Sequence, residues 1–249
     1  MSVDVDANGA VRVITLNRPE KRNAMSPEMT LGLDTALNAF EDDPQARVAI
    51  LTGGPRFFSA GTDIATFAGE PTERGGPYGI AARRLAKPVI AAVEGAALGG
   101  GFEIALAATL IVASAEATFA FPEVTLGLIA ECGGLFRGPR ALPLNLAREL
   151  LLTGERLTAR RAYDLGLVNR LADPGQALPV ALDLAERIAG LAPIAVRETL
   201  RAIDAIAAAD DDRGWDRTGH ARETARASHD AKEGIAAFLA RRSPTWTDT

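Results

Sequence analysis

The sequence predicts an α/β fold that ends in a helical region. Strand-like runs begin near residues 11, 48, 88 and 110, with helical patterns between several of them. Their spacing is too irregular for a repeat array. From about residue 142 the pattern becomes mostly helical. A chain of 249 residues can bury a large core. We place a boundary near 190, with an α/β core over residues 1–190 and a helical appendage over 191–249 that packs on its own core or on another subunit.

Val11-Arg12-Val13-Ile14-Thr15-Leu16 alternates and is β-branched, as a strand requires. Residues 17–23 form a turn carrying Arg18, Lys21 and Arg22. Ser26 and Pro27 suit the N-cap and first position of a helix, and Met29, Leu33, Leu37 and Phe40 follow at helical spacing. A strand over 47–52 closes at Gly53-Gly54-Pro55. Residues 57–64 read as a tight turn into a short helical piece, and 69–78 as a mobile polar loop. A helix over 80–85 and a strand over 87–93 follow. The apolar run 102–110 reads as a helix, and 110–114 and 117–121 as strands. Helices are expected over 146–152 and from 158, then a strand over 167–171 broken by Asp173-Pro174-Gly175. Helices over 180–189, 194–208, 215–228 and 231–241 complete the chain, the last with an apolar stripe of Ile235, Phe238 and Leu239.

Composition narrows the function. A net charge of −5 argues against a nucleic-acid partner. One cysteine, Cys132, allows no internal disulfide and fits a reducing compartment. The first residues are acidic rather than basic-then-apolar, and the apolar run 104–115 is too short to span a bilayer. The expectation is a soluble cytoplasmic protein with no membrane partner. The only histidines, His220 and His229, lie in the polar C-terminal region, so a Ser-His-Asp hydrolase or a histidine metal site is poorly supported. No metal ligand set is assigned.

The stretch Gly95-Ala96-Ala97-Leu98-Gly99-Gly100-Gly101-Phe102-Glu103 joins an apolar strand to an apolar helix. Bare backbone N–H groups at a helix N-terminus stabilise negative charge. These glycines fit neither the dinucleotide fingerprint nor a P-loop, whose lysine is replaced by Phe102. A carbonyl oxygen is therefore the better occupant than a phosphate. A second glycine turn, Ala60-Gly61-Thr62-Asp63, has the same setting. If the two converge, the N–H groups of Thr62 and Gly100 form an oxyanion hole, whose single donors are worth about 10²–10³ in rate.

Three carboxylates stand in apolar surroundings: Glu103, Glu123 and Glu131. Each has a purely structural explanation as a helix-start acid or a cap. If buried together, repulsion would leave one protonated and one ionised near neutral pH, an acid and a base.

Taken in order, these motifs resemble the enoyl-CoA hydratase/isomerase (crotonase) superfamily over nearly the whole chain. The likeness rests on residues 14–24, Phe58-Ser59-Ala60-Gly61-Thr62-Asp63-Ile64, residues 87–95, Ala97-Leu98-Gly99-Gly100-Gly101-Phe102-Glu103, Phe121-Pro122-Glu123, Gly133-Gly134, residues 162–169 and residues 232–238. The resemblance implies a spiral of ββα turns, a helical C-terminal trimerisation region and a homotrimer or dimer of trimers. It implies an acyl-CoA thioester substrate with no further cofactor, coenzyme A being part of the substrate. Its oxyanion hole falls on Thr62 and Gly100, and its hydratase glutamates on Glu103 and Glu123. Its CoA contacts fall near Lys21, Arg22 and Ala24, and near Ala60, Gly61, Asp63 and Ile64.

Where typical hydratases carry Pro-Gly before the next glycine pair, this chain has Ala130-Glu131. A carboxylate at 131 is similar to that of dienoyl-CoA isomerases and carnitinyl-CoA dehydratase-like members. The leading expectation is an enoyl-CoA hydratase using Glu103 and Glu123. The alternatives are a double-bond isomerase or carnitinyl-CoA dehydratase-like enzyme using Glu131, and a non-catalytic acyl-CoA- or RNA-binding scaffold.

Overall fold

The computed structural model describes residues 2–207 and 210–247. Strands β1 (Val3–Asn8) and β2 (Val11–Leu16) form a hairpin at the edge of a six-stranded sheet. Helix α1 (Pro27–Asp42) carries the chain to β3 (Val48–Thr52), which lies parallel to β2. Its expected cap is present: the Ser26 hydroxyl accepts from the Met29 N–H at 3.4 Å. The next strands are β4 (Val89–Val93) and the short β5 (Ala96–Leu98), and helix α2 (Gly100–Ala107) follows. Then come β6 (Leu110–Ser114), β7 (Thr118–Ala120) and a 3₁₀ turn over Pro122–Leu126. Helices α3 (Gly134–Ala141) and α4 (Leu144–Thr153) lead to β8 (Leu157–Thr158), α5 (Ala159–Asp164) and β9 (Arg170–Ala172).

The large sheet runs β1-β2-β3-β4-β6-β9, all parallel beyond the first hairpin. A second sheet, β5-β7-β8, grows beside it. Single bridges Met25–Thr62 and Ser59–Ala97 extend that second sheet back through the earlier turns. Each pass of the chain thus adds a long strand to one sheet and a short extended piece to the other, then a helix or turn. This is the expected spiral of ββα turns.

Burial explains the sequence pattern. All five residues of β3 and all five of β4 are buried, because both sheet faces are covered. One face packs Ile14, Leu51, Ala91 and Ala113 with Met29, Leu33 and Leu37 of α1. The other face packs Val13, Ile50, Ile90 and Val112 under Ala181 and Ala185 of α6 (Ala177–Ala189).

The C-terminal helices are α7 (Pro193–Ala207), α8 (Asp211–Ala227) and α9 (His229–Ala240). Ala208, the last residue expected in the 194–208 helix, lies outside the described residues. Helix α8 docks on α3, with Trp215 edge-on to Phe136 at 5.1 Å. Helix α9 lies so close to the 3₁₀ turn that a Cβ at Gly234 would stand 2.1 Å from the Leu126 carbonyl oxygen. No helix among the described residues is long and apolar enough to cross a membrane.

Several local expectations are corrected. Residues 80–82 form a turn and 83–85 are irregular instead of helical, with the Arg83 guanidinium drawn inward to α1. Thr62 pairs with Met25 in a single bridge and residues 64–66 make a turn, not a helical piece. Helix α2 starts at Gly100, two residues before the expected Phe102. The strand expected over 167–171 is centred later, at Arg170–Ala172. Loop 69–78 is packed against α1, with the Thr72 hydroxyl donating to Asp34 at 2.8 Å.

Candidate active site

The two glycine turns meet. Gly61 has φ +87°, and a Cβ there would lie 2.6 Å from the Leu98 carbonyl oxygen and 3.0 Å from the Gly100 nitrogen. Only glycine allows both that conformation and that approach. The Ser59 N–H donates to Ala96 and the Leu98 N–H to Ser59, locking the turns side by side. The Met25 N–H donates to Gly61, and the Asp63 N–H donates back to Met25. Thr62 lies between them, and its own N–H donates to no protein acceptor among the described residues. The same holds for Gly100, whose N–H opens α2. Two backbone donors without a protein acceptor therefore stand on adjoining turns, a set that could serve an oxyanion.

Glu103 stands three residues after Gly100 on the first turn of α2, so its side chain leaves the same helix face. It is 1% exposed. Its Oε1 accepts the Cys132 N–H at 2.7 Å and the Gly134 N–H at 2.9 Å. Gly134 opens α3, so the carboxylate faces the electropositive end of a second helix. Burial pushes the Glu103 carboxyl up to about 7, those two N–H groups oppose the rise, and the charge of Glu131 adds to it.

Glu123 enters from the 3₁₀ turn after β7. Its Oε1 overlies Gly99, 2.8 Å from where a Cβ would stand, and its buried Oε2 has no hydrogen-bond partner. Burial, and next the charge of Glu103, push its carboxyl up to about 8. Two mutually interacting carboxyls with raised affinity for protons suit one acid and one base near neutral pH. Phe102 stacks on Phe121 at 4.5 Å and touches Phe119 at 5.1 Å, and this buried aromatic layer fixes both glutamate-bearing segments.

Glu131 sits on the turn before α3 and is gripped by Arg226 of α8, whose Nε lies 3.1 Å from Oε2 while Nη2 contacts Oε1. Its charge is felt by both Glu103 and Glu123. The third carboxylate thus belongs to the same neighbourhood but is already ion-paired.

The expected CoA-contacting residues line two touching turns. Lys21 and Arg22 are exposed, while Ala24, Ala60, Asp63 and Ile64 are partly covered and Gly61 is buried. The buried Asn23 ties the turns together, donating to Gly53, Phe57 and Phe58 and accepting from the Arg18 N–H. Asp63 is engaged within the protein: it accepts from Arg18 at 2.7 Å, and although burial opposes ionisation, this bond holds its carboxyl below the ordinary value. A cleft of about 850 Å³ opens on the outer side of these turns, lined by Arg22, Arg56 and Phe57 with Asp4, Asp6 and Glu20, and by neither Glu103 nor Glu123. No group of three or more metal-ligating side chains occurs among the described residues.

Sequence reasoning missed one group beside this space. Tyr78, in the loop expected to be mobile, is 5% exposed, and its hydroxyl lies 2.7 Å from the Thr62 hydroxyl. The available signal was a lone aromatic residue between glycines and a proline, in a chain with two tyrosines.

Known proteins share this architecture. Residues 6–249 match the family model described as enoyl-CoA hydratase/isomerase. A carnitinyl-CoA dehydratase of Salmonella arizonae is 41% identical over an alignment of 257 positions, gaps included, covering 98% of each chain. The structure of a carnitinyl-CoA dehydratase from Mycobacterium avium 104 superposes with a TM-score of 0.93 at 40% identity, over 100% of this chain and 99% of that one. An enoyl-CoA hydratase from Mycobacterium tuberculosis H37Rv superposes with a TM-score of 0.79 at 44% identity, with the same coverage. The spiral fold, the paired glycine turns and these likenesses agree: the chain belongs to the enoyl-CoA hydratase/isomerase family, the crotonase superfamily.

Proposed function

We propose that this protein adds water across the 2,3-double bond of an enoyl-CoA thioester, and catalyses the reverse dehydration. The observation that carries the reading is the placement of two high-pKa glutamates beside two free backbone N–H donors. The thioester oxygen accepts from Thr62 and Gly100, so charge pushed onto it as an enolate is stabilised. Glu103, the more readily ionised, takes a proton from water as that water attacks the β-carbon. Glu123 delivers a proton to the α-carbon. The chemistry so written calls on no metal or redox group. The exposed Lys21 and Arg22 suit the CoA phosphates, and Asp63 orients its turn through Arg18.

A second reading, dehydration of a polar 3-hydroxyacyl-CoA, is favoured by Glu131 beside the pair and by the carnitinyl-CoA dehydratases among the relatives. The Arg226 grip weighs against Glu131 as a proton shuttle for isomerisation. The exposed Ile194, Ile203 and Ile206 of α7 and Phe238 and Leu239 of α9 suit contact with further copies in a trimer, which light scattering would test.

The function is tested with crotonyl-CoA in ¹⁸O-labelled water. The expected product is labelled 3-hydroxybutyryl-CoA, lost by about 10²-fold or more in Glu103→Gln and in Glu123→Gln. Full activity in both variants overturns the assignment.

A further inference from the structure

Loop 69–78 and the turn that follows are built at some cost. Tyr78 adopts φ +57°, a left-handed conformation that disfavours any residue but glycine. Gly76 and Gly79, at φ +66° and +77°, bend the chain around it. A Cβ at Gly79 would stand 2.6 Å from the Thr30 carbonyl oxygen, so the bend lies hard against α1. Arg83 clamps it from behind: its guanidinium is 2.6 Å from both Asp34 and Glu41 of α1, and its Nε donates to the Gly79 carbonyl at 3.3 Å. A buried cation with two carboxylate partners holds a single geometry firmly, since losing either partner leaves an uncompensated charge.

What this geometry delivers is one phenol. The Tyr78 hydroxyl lies over Gly100, 2.4 Å from where a Cβ would stand, and 2.7 Å from the Thr62 hydroxyl. It lies in the electrostatic neighbourhood of Cys132, whose backbone N–H holds Glu103. The same side chain therefore touches both residues whose N–H groups flank the oxygen site, and borders the residue that positions the base. A buried hydroxyl bonded to Thr62 alone would need no such placement over the other donor.

We propose that the Tyr78 hydroxyl is a third hydrogen-bond donor to the thioester oxygen. This rests on the reading of Thr62 and Gly100 as the oxyanion hole. When the thioester carbonyl enters, the Tyr78 O–H turns from Thr62 to that oxygen. The Thr62 hydroxyl, free to donate, then bonds the Tyr78 oxygen from behind. Such a chain strengthens its terminal bond as charge builds on the acceptor. Burial raises the affinity of the phenol for its proton, which keeps it a donor at neutral pH.

The test uses butyryl-CoA labelled with ¹³C at the carbonyl, a saturated thioester that binds without turnover. Its carbonyl stretch moves to lower frequency in proportion to the hydrogen bonding it receives. Tyr78→Phe is expected to lose part of that shift, to bind free CoA as the wild type does, and to lower kcat on crotonyl-CoA about tenfold or more. A merely structural tyrosine would lower the melting temperature and leave the carbonyl frequency of the folded protein alone. Placing 3-fluorotyrosine at 78 keeps the ring and hydroxyl while making a better donor, and should enlarge the shift; it decides the matter if Tyr78→Phe does not fold. A shift unchanged in the phenylalanine variant, or unmoved by the fluorinated one, overturns the proposal while leaving hydration intact. A wild type that polarises butyryl-CoA through Tyr78 but turns over no enoyl-CoA overturns hydration alone. Absence of any carbonyl shift in the wild type overturns both.

Discussion

Replacing Glu123 by Gln should stabilise the protein in alkaline solution while removing its activity. In the fold the Glu123 carboxyl is buried, its Oε2 finds no donor, and Glu103 lies nearby, so its pKa rises from an ordinary 4.5 to about 8. The folded chain therefore holds a proton that the unfolded chain has lost. Stability falls as pH climbs from about 4.5 to about 8 and levels off beyond. Taken whole, that gap amounts to about 5 kcal/mol. Relaxation and water entry in a site open to substrate reduce it, leaving roughly 2–3 kcal/mol. For a chain of this size each kcal/mol moves the melting temperature by about 2–4 °C. Thermal melts of wild type and Glu123→Gln at about pH 5 and about pH 8.5 should differ in their gap by roughly 4–12 °C, with the variant gaining at the higher pH. Comparing two pH values cancels the packing difference between the side chains. An equal gap at both pH values would refute the argument that Glu123 is held in a proton-retaining site.

Glu131→Gln removes a negative neighbour of both catalytic candidates, so the pH–rate profile should move to lower pH with activity retained. Arg226→Gln exposes that charge and should move the profile the other way, with a stability change below about 1 kcal/mol because Arg226 is 54% exposed. Arg83→Met leaves Asp34 and Glu41 unpaired and should cost about 3–5 kcal/mol, seen in denaturant melts, with protease cleavage appearing in residues 69–82.

Much of the fold was legible where local pattern and tertiary environment agree. Strands β2, β3 and β4 are apolar runs bounded by turn residues, and α1 carries both its cap and its stripe. Strand β1 was missed because only Val3 of its six residues is buried; Asn8-Gly9, a hairpin signal, was the available clue. Helix α3 was missed because Gly134, Gly138 and Pro139 all weigh against a helix, yet a Cβ at 134 would stand 2.7 Å from Ala130 and 2.8 Å from Phe121, so the close packing there requires glycine. The paired turns and Glu103 could be read from spacing along the chain. Glu131 could not be resolved, since its partner Arg226 stands 95 residues away. Tyr78 was hidden for the same reason: Arg83, Asp34 and Glu41 make an ordered platform of what reads locally as a polar loop.

The grip on Glu103 comes from the amides of residues 132 and 134, and the proposed oxyanion donors are amides of residues 62 and 100. None of these groups is encoded by a side chain, so no point substitution other than one to proline deletes a donor while preserving the backbone. Heritable variation in such an enzyme falls instead on the side chains hung around a constant polarising frame. On the proposed mechanism, new substrates and new proton routes can then be explored by drift at positions such as 131 and 226, while the backbone donors that would stabilise an enolate are inherited unchanged.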